Sequence, residues 1–275
     1  MDNRRNKLNN IEVFKDTRKL SQTIYKDSTE SMKKYTKVYR DADDIIADKD
    51  MNINSNMEIR VIQGGTVSTA DALANSDAKI AMLNFADAKR PGGWVIEGAP
   101  TQEENICRCT NLYETLVQPY CIKNYYKVNL DFGVPDAEQH YVEPYTDCLI
   151  YSKDVAIFKD DITYDDIPVR YVDVITSPAP CGNFKGVEPV LLHRMRGIVK
   201  SAYVNGVTCL ILGAWGCGAF GQNPKVVSRC FAKVLKEFPV FDSVIFAIRP
   251  TGDTGLYRKD VIFNVFNAAF ISSLF

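Results

Sequence analysis

Two adjacent glutamates, Glu103 and Glu104, end the segment Gly98-Ala99-Pro100-Thr101-Gln102-Glu103-Glu104 and open a run with helical spacing. Successive residues of a helix lie about 100° apart around its axis, so the two carboxyls point in different directions. One can deliver a proton while the other holds substrate hydroxyls. A structural account fits the same residues: Thr101 through Glu104 matches the capping box S/T-x-x-E, with Thr101 as N-cap and Glu104 reaching back to its amide. Both readings stay open on these residues alone. The surroundings bring the catalytic one into contention, because the pair lies between two glycine loops that both follow predicted strands.

The first loop is Pro91-Gly92-Gly93-Trp94 and the second runs from Gly213 to Gly221, with further glycines at 216 and 218. Glycine permits positive φ and close backbone approach, and successive amides in such a turn can form a nest for an anion. Pro224 suits the first turn of the helix that follows, whose N-terminus adds its dipole. The G-x-x-x-x-G-K-[ST] pattern is absent, so the common NTPase loop is not matched. A phosphate cradle and a bare strand-to-helix turn both satisfy the spacing.

These loops need strands to hold them. The punctuation from residue 58 onward supplies strands at 59–62, 79–85, 169–176, 207–213 and 243–248, with extended pieces at 148–158. Between them lie helices near 68–76, from about 102, at 187–204, at 224–237 and at about 259–271. In the second of these, Ile106, Cys109, Leu112, Tyr113 and Leu116 form one apolar stripe. Apolar strands alternating with helices predict an α/β protein with a largely parallel sheet covered on both faces. Ligands bind such sheets beyond the carboxyl ends of the strands. Residues 1–50 are the most polar region, within an N-terminal extension of 1–57. They predict a helix carrying Ile11, Phe14, Leu20 and Ile24, then an irregular arm, the whole packed on a main domain of 58–275.

Composition narrows the class. The chain has 275 residues, 46% of them hydrophobic and 24% charged, which suits a soluble globular protein with a sizeable core. Lysine and arginine number 33 against 34 aspartates and glutamates, a net charge of −1 that argues against broad phosphate-backbone or membrane-surface binding. The 24 uncharged residues between Lys200 and Lys225 hold several glycines and polar residues, and read as a buried strand plus the glycine loop rather than a membrane span. Eight cysteines without a secretory leader predict reduced thiols in a cytoplasmic protein. With only His140 and His193, a zinc site has little to draw on.

Taken together, these blocks resemble the microbial-type poly(ADP-ribose) glycohydrolases of the macrodomain superfamily. The likeness rests on Leu83-Asn84-Phe85-Ala86-Asp87-Ala88-Lys89-Arg90-Pro91-Gly92-Gly93-Trp94 and on Gly98 through Glu104. It continues through Leu112-Tyr113, Tyr145-Thr146-Asp147, Ile150-Tyr151-Ser152, Ile175 through Ala179 and Leu212 through Phe220. The resemblance implies a macrodomain-like mixed, mostly parallel sheet between helices, with an N-terminal helical extension, binding ADP-ribose across its crest. It implies that Glu104 is the catalytic acid and that Glu103 holds ribose hydroxyls. Gly92, Gly93, Gly216, Cys217, Gly218 and Ala219 would lie along the diphosphate and distal ribose, and Phe220 would pack on that ribose. Asn84, Asp87, Trp94 and Gln102 complete the substrate-binding set. No metal and no cofactor is required. The partner would be poly(ADP-ribose) or an ADP-ribosylated acceptor, with ADP-ribose as product. The alternatives are a non-catalytic ADP-ribose-binding module and a hydrolase of another ADP-ribose conjugate; retention of both glutamates favours the enzyme.

Two positions depart from the family pattern. Trp94 stands where a third glycine is usual, so the loop is expected to follow another backbone path there, with the indole either on the core or over the crevice. Asp87 stands where a neutral Asn or Ser is common. It is expected to face ribose hydroxyls or solvent, or simply to serve the turn.

Overall fold

A computed structural model describes residues 2–45, 51–74, 76–132, 145–182, 184–249 and 258–271. Its strands are β1 (Lys37–Tyr39), β2 (Glu58–Gln63), β3 (Ile80–Phe85), β4 (Leu149–Lys159), β5 (Asp166–Ser177), β6 (Cys209–Leu212) and β7 (Ser243–Ile248). They form one sheet in the order β1-β4-β5-β3-β6-β7-β2. From β5 to β2 every neighbouring pair is parallel. The β4 strand runs antiparallel to both β5 and β1, so the sheet is mixed and mostly parallel as expected.

Side chains alternate across a strand, and here both faces are buried. Ile80 and Met82 of β3 join Val174 and Ile211 in one core, whereas Ala81 and Leu83 join Ile175, Leu210 and Phe246 in the other. The first core lies under α1 (Asp2–Gln22), α2 (Lys26–Tyr35), α3 (Thr66–Leu73), α4 (Gln102–Cys109) and α5 (Leu112–Leu116). After α5 come α6 (Pro119–Cys121), a π-helical turn (Ile122–Tyr126) and α7 (Lys127–Asp131). The second core lies under α8 (Val187–Val204), α9 (Pro224–Glu237) and α10 (Lys259–Ile271).

Three expectations change. The single helix from residue 102 is broken: Thr110 is extended (φ −140°, ψ 168°) and bridges Ile157. Beside it, Asn111 exchanges hydrogen bonds with the Ala156 main chain through its own amide (3.2 Å) and its Oδ1 (2.9 Å). These bonds to β4 outcompete helix continuation, while Leu112 and Leu116 remain buried, so the apolar stripe survives the break. The irregular arm after the first helix is instead α2 and the edge strand β1, the former burying Thr29 and Met32. The helix placed near 68–76 starts earlier, at Thr66, directly after the extended Gly65.

The N-terminal helix reaches the glycine-rich segment before α4. Asn10 Nδ2 donates to the Gly98 carbonyl at 3.0 Å, Phe14 meets Tyr113 edge-on at 4.9 Å, and Arg18 pairs with Glu114 at 2.8 Å. Among the described residues no helix is long and apolar enough to cross a membrane. The uncharged stretch after Lys200 is the end of α8, β6 and the second glycine loop. His140 lies outside the described residues, and His193 sits 2.9 Å from Asp41.

Candidate active site

The carboxyl ends of β2, β3, β6 and β7 open into a cleft of about 610 Å³. Its walls are the Gly64–Thr66 turn, Gly93 and Trp94 of the first loop, the start of α4, the Gly216–Phe220 loop and the end of β7. Helix α4 begins at Gln102 after an extended Thr101 (φ −82°, ψ 179°), and this aims both glutamates into the cleft.

Each glutamate has its own partners. Glu104 Oε1 accepts from the Trp94 main-chain amide at 2.9 Å, and its Oε2 accepts from the Thr101 hydroxyl. Glu103 Oε2 accepts from the Asp87 amide at 2.7 Å and its Oε1 from Asn84 Nδ2 at 3.1 Å. The capping-box reading does not hold. Thr101 makes no side-chain cap, its hydroxyl instead donating to the carboxylate, and Glu104 binds the loop amide rather than the Thr101 amide. The carboxyls are 2% and 3% exposed at the residue level, so water cannot fully solvate their charge. Burial therefore pushes Glu103 well above the usual carboxylate range, opposed by the Asp87 amide and reinforced by the Glu104 charge. Burial also raises Glu104, opposed by the Trp94 amide and by the Arg108 guanidinium. A buried carboxyl with a raised pKa is equipped to hold and donate a proton.

The first loop approaches these carboxyls as closely as a backbone can. A Cβ on Gly93 would lie 2.5 Å from Glu104 Oε1 and 3.1 Å from Glu103 Oε2, and its φ is +59°. Gly92 (φ +68°) does not line the cleft; its missing side chain makes room for the Tyr113 ring, 2.8 Å from where a Cβ would stand. The left-handed turn ends there. Trp94 is not among the positive-φ residues, so the indole is accommodated without backbone strain. It does not pack on the core: it is 47% exposed, lines the cleft and carries the Arg90 guanidinium 3.6 Å from its ring centre.

Below the second loop, Trp215 is fully buried and its Nε1 donates to the Ser177 carbonyl at 3.0 Å. Gln222 Nε2 donates to the Pro180 and Gly182 carbonyls, both at 2.7 Å. Asn223 caps α9 through Lys225, with Pro224 as first helical residue. Gly216 and Cys217 line the cleft as buried residues and Gly218, Ala219 and Phe220 as more exposed ones, and among the described residues a Cβ on Gly218 would meet nothing within 4 Å.

The remaining predicted residues divide between wall and support. Asn84 is completely buried, does not line the cleft and braces Glu103 against Thr176; its Oδ1 has no hydrogen-bond partner among the described residues. Gln102 lines the cleft but spends its amide on the frame, accepting from the Phe85 amide (2.8 Å) and donating to the Leu83 carbonyl (2.7 Å) and to Thr66 (3.1 Å). Asp87 serves the turn: its Oδ1 accepts from the amides of Lys89 (2.7 Å) and Arg90 (3.0 Å).

Sequence reasoning missed the far wall. Gly64 and Gly65 form it, and Gly65 lies against a buried carboxylate, its Cβ position falling on Asp161 Oδ2. Arg249, just past β7, also lines the cleft and donates to Asp161 Oδ2 and Asn105 Oδ1, each at 3.2 Å. The glycine pair directly after a strand was the available signal for this wall. Arg249 has no flanking motif.

Known proteins share this architecture. The family described as the microbial-type PARG catalytic domain matches residues 9–160. Poly(ADP-ribose) glycohydrolase from Thermomonospora curvata is 26% identical with a TM-score of 0.80, covering 95% of this chain and 99% of that one. The enzyme from Deinococcus radiodurans, solved in complex with ADP-ribose, is 29% identical with a TM-score of 0.77, covering 89% and 98%. The Thermomonospora curvata enzyme bound to the inhibitor ADP-HPD gives 26% identity and a TM-score of 0.77, covering 96% and 98%. No curated protein sequence matches significantly.

Proposed function

The chain belongs to the microbial-type poly(ADP-ribose) glycohydrolase family, and from that premise we propose that Glu104 is the acid that frees ADP-ribose from poly(ADP-ribose). The observation that carries this assignment is the Glu104 carboxyl itself: raised by burial, aimed into the cleft and fixed by the Trp94 amide and the Thr101 hydroxyl.

Cleaving a ribose–ribose O-glycosidic bond requires a proton on the leaving oxygen, a stabilised oxocarbenium-like ribose and an attacking water. Glu104 donates the proton. Glu103, held by Asn84 and the Asp87 amide, receives ribose hydroxyls and fixes the ring. The outward Gly218–Phe220 backbone and Gly93 contact the diphosphate and distal ribose, with Phe220 against that ribose; anchoring the diphosphate sets the anomeric carbon before the acid. Asn84 and Gln102 act by bracing the wall. Residues 1–57 form an N-terminal extension packed on 58–275 through the Asn10–Gly98 and Arg18–Glu114 contacts, and this extension also supplies the edge strand β1. A cytoplasmic location is supported by the seven buried cysteines, all of them free thiols.

The test is incubation with labelled poly(ADP-ribose), following free ADP-ribose and remaining polymer separately. Release of ADP-ribose is expected. Tight polymer binding with no release would favour the non-catalytic binding module instead.

A further inference from the structure

The rim beside the acid carries groups that this mechanism leaves unused. Arg90 lies over the half-exposed Trp94 ring at 3.6 Å, and Lys89 Nζ stands 5.6 Å from the Tyr145 ring, itself 6.0 Å from Phe220. Two cations thus lie over two aromatic rings, one of which, Trp94, lines the cleft. The indole belongs to the residue whose amide binds Glu104 Oε1. A general acid must reach the leaving oxygen, so it stands on the leaving-group side of the scissile bond. Trp94, which lines the cleft next to that acid, therefore borders the space of the leaving group.

The leaving oxygen of poly(ADP-ribose) is a hydroxyl of the ribose that bears the neighbouring unit's adenine. A purine base and a diphosphate accordingly follow within one sugar of the bond being cut. Resting on the glycohydrolase reading, we propose that Trp94 and Arg90 form an acceptor-side subsite for the departing ADP-ribose unit. Its adenine stacks on the indole, and the guanidinium edge of Arg90, with Lys89 beside it, faces its diphosphate. An aromatic face accepts a base by stacking, and an arginine lying flat on a ring keeps its donor edge for phosphate oxygens. The nearby Asp87 carboxylate does not oppose this fully, since its Oδ1 is engaged by the Lys89 and Arg90 amides. Because Trp94 lies outside the left-handed region, its side chain can be removed without altering a strained backbone.

The experiment compares wild type, Trp94→Ala and Arg90→Gln in steady-state hydrolysis of polymer and in ADP-ribose binding by calorimetry. Alanine keeps the main-chain amide that holds Glu104. Trp94→Ala should lower kcat/KM on polymer by roughly fivefold to a hundredfold, the range of base-on-aromatic stacking, through KM rather than kcat. Arg90→Gln should lower it in the same way, and the salt dependence of KM should weaken. ADP-ribose, which lacks the departing unit, should bind both variants within about twofold of wild type, since it loses no stacking partner. Unchanged or increased kcat/KM in the variants, a loss confined to kcat, or an equal loss of ADP-ribose affinity overturns the subsite while wild type stays active. A wild type that releases no ADP-ribose overturns the glycohydrolase reading, and the subsite with it.

Discussion

The main-chain amide of Trp94 donates to Glu104 Oε1 at 2.9 Å, which makes the first glycine loop and the acid a single unit. The bond has two opposed consequences. It fixes the direction of the carboxyl, and it favours the ionised form, so the raised pKa of Glu104 is the net of burial against this amide and the Arg108 charge. Anything that moves the loop moves the acid.

Replacing Glu104 by Gln should abolish turnover while sparing the pocket. Its carbonyl oxygen can still accept from the Trp94 amide, but an amide cannot donate the catalytic proton. General-acid catalysis contributes roughly a hundredfold to ten-thousandfold, so kcat should fall at least that far. Thermal midpoint and calorimetric ADP-ribose affinity should stay close to wild type. Retained full turnover would assign the proton to another group.

ADP-ribose should stabilise the folded chain, because both glycine loops and the glutamates face one cleft. At a hundred times its dissociation constant a ligand adds about 2.7 kcal/mol. Thermal melts with and without millimolar ADP-ribose measure this directly, with ATP as the comparison. Melts that neither nucleotide shifts would remove the ligand assignment.

Two glycines should fail in different ways. At Gly93 a Cβ would lie 2.5 Å from Glu104 Oε1 on a backbone with φ +59°, so Gly93→Ala strains the loop and displaces the acid. Its thermal midpoint and its kcat should both fall. At Gly218 a Cβ meets nothing within 4 Å among the described residues, so Gly218→Ala should leave the midpoint near wild type. Its methyl instead occupies space on the ligand face and should weaken ADP-ribose binding in calorimetry. The opposite pattern, an unstable Gly218→Ala with intact affinity, would show that this loop serves the fold alone.

How far these features could be read in the sequence followed from local signals. Helices α8 and α9 and strand β7 were legible because glycine, asparagine or proline punctuate them, and Asn223-Pro224 fixes the start of α9. The break at Thr110 was not, since the apolar spacing runs through it and the cause is a partner strand distant in sequence. Likewise α2 was hidden by its charge, because its small buried face of Thr29 and Met32 becomes meaningful only against β4 and α5. In the site, the glutamates and both glycine loops stood out through residue type and spacing. The supporting role of Asn84 and the presence of Arg249 depend on which strand ends the sheet order brings together.

The final prediction concerns Glu103, whose buried carboxyl lies well above the usual value of 4.5. A folded state that binds a proton more tightly than the unfolded chain is favoured by that proton. Its contribution is therefore complete below the unfolded value and is lost as pH rises through the folded one. Glu103→Gln removes this titration. Glutamine's carbonyl oxygen can keep the Asp87 amide, and Asn84, whose Oδ1 has no other partner among the described residues, can turn to accept from its NH₂ group. Below pH 4.5 the variant and wild type should melt at similar temperatures. Above it the variant should become progressively the more stable, with the gap levelling off once wild-type Glu103 is fully ionised. Because the Glu104 charge acts on Glu103, the difference reports the Glu103 proton together with its coupling to Glu104. A gap that is flat with pH, or that closes as pH rises, would show that Glu103 is buried ionised and that its two hydrogen bonds outweigh burial.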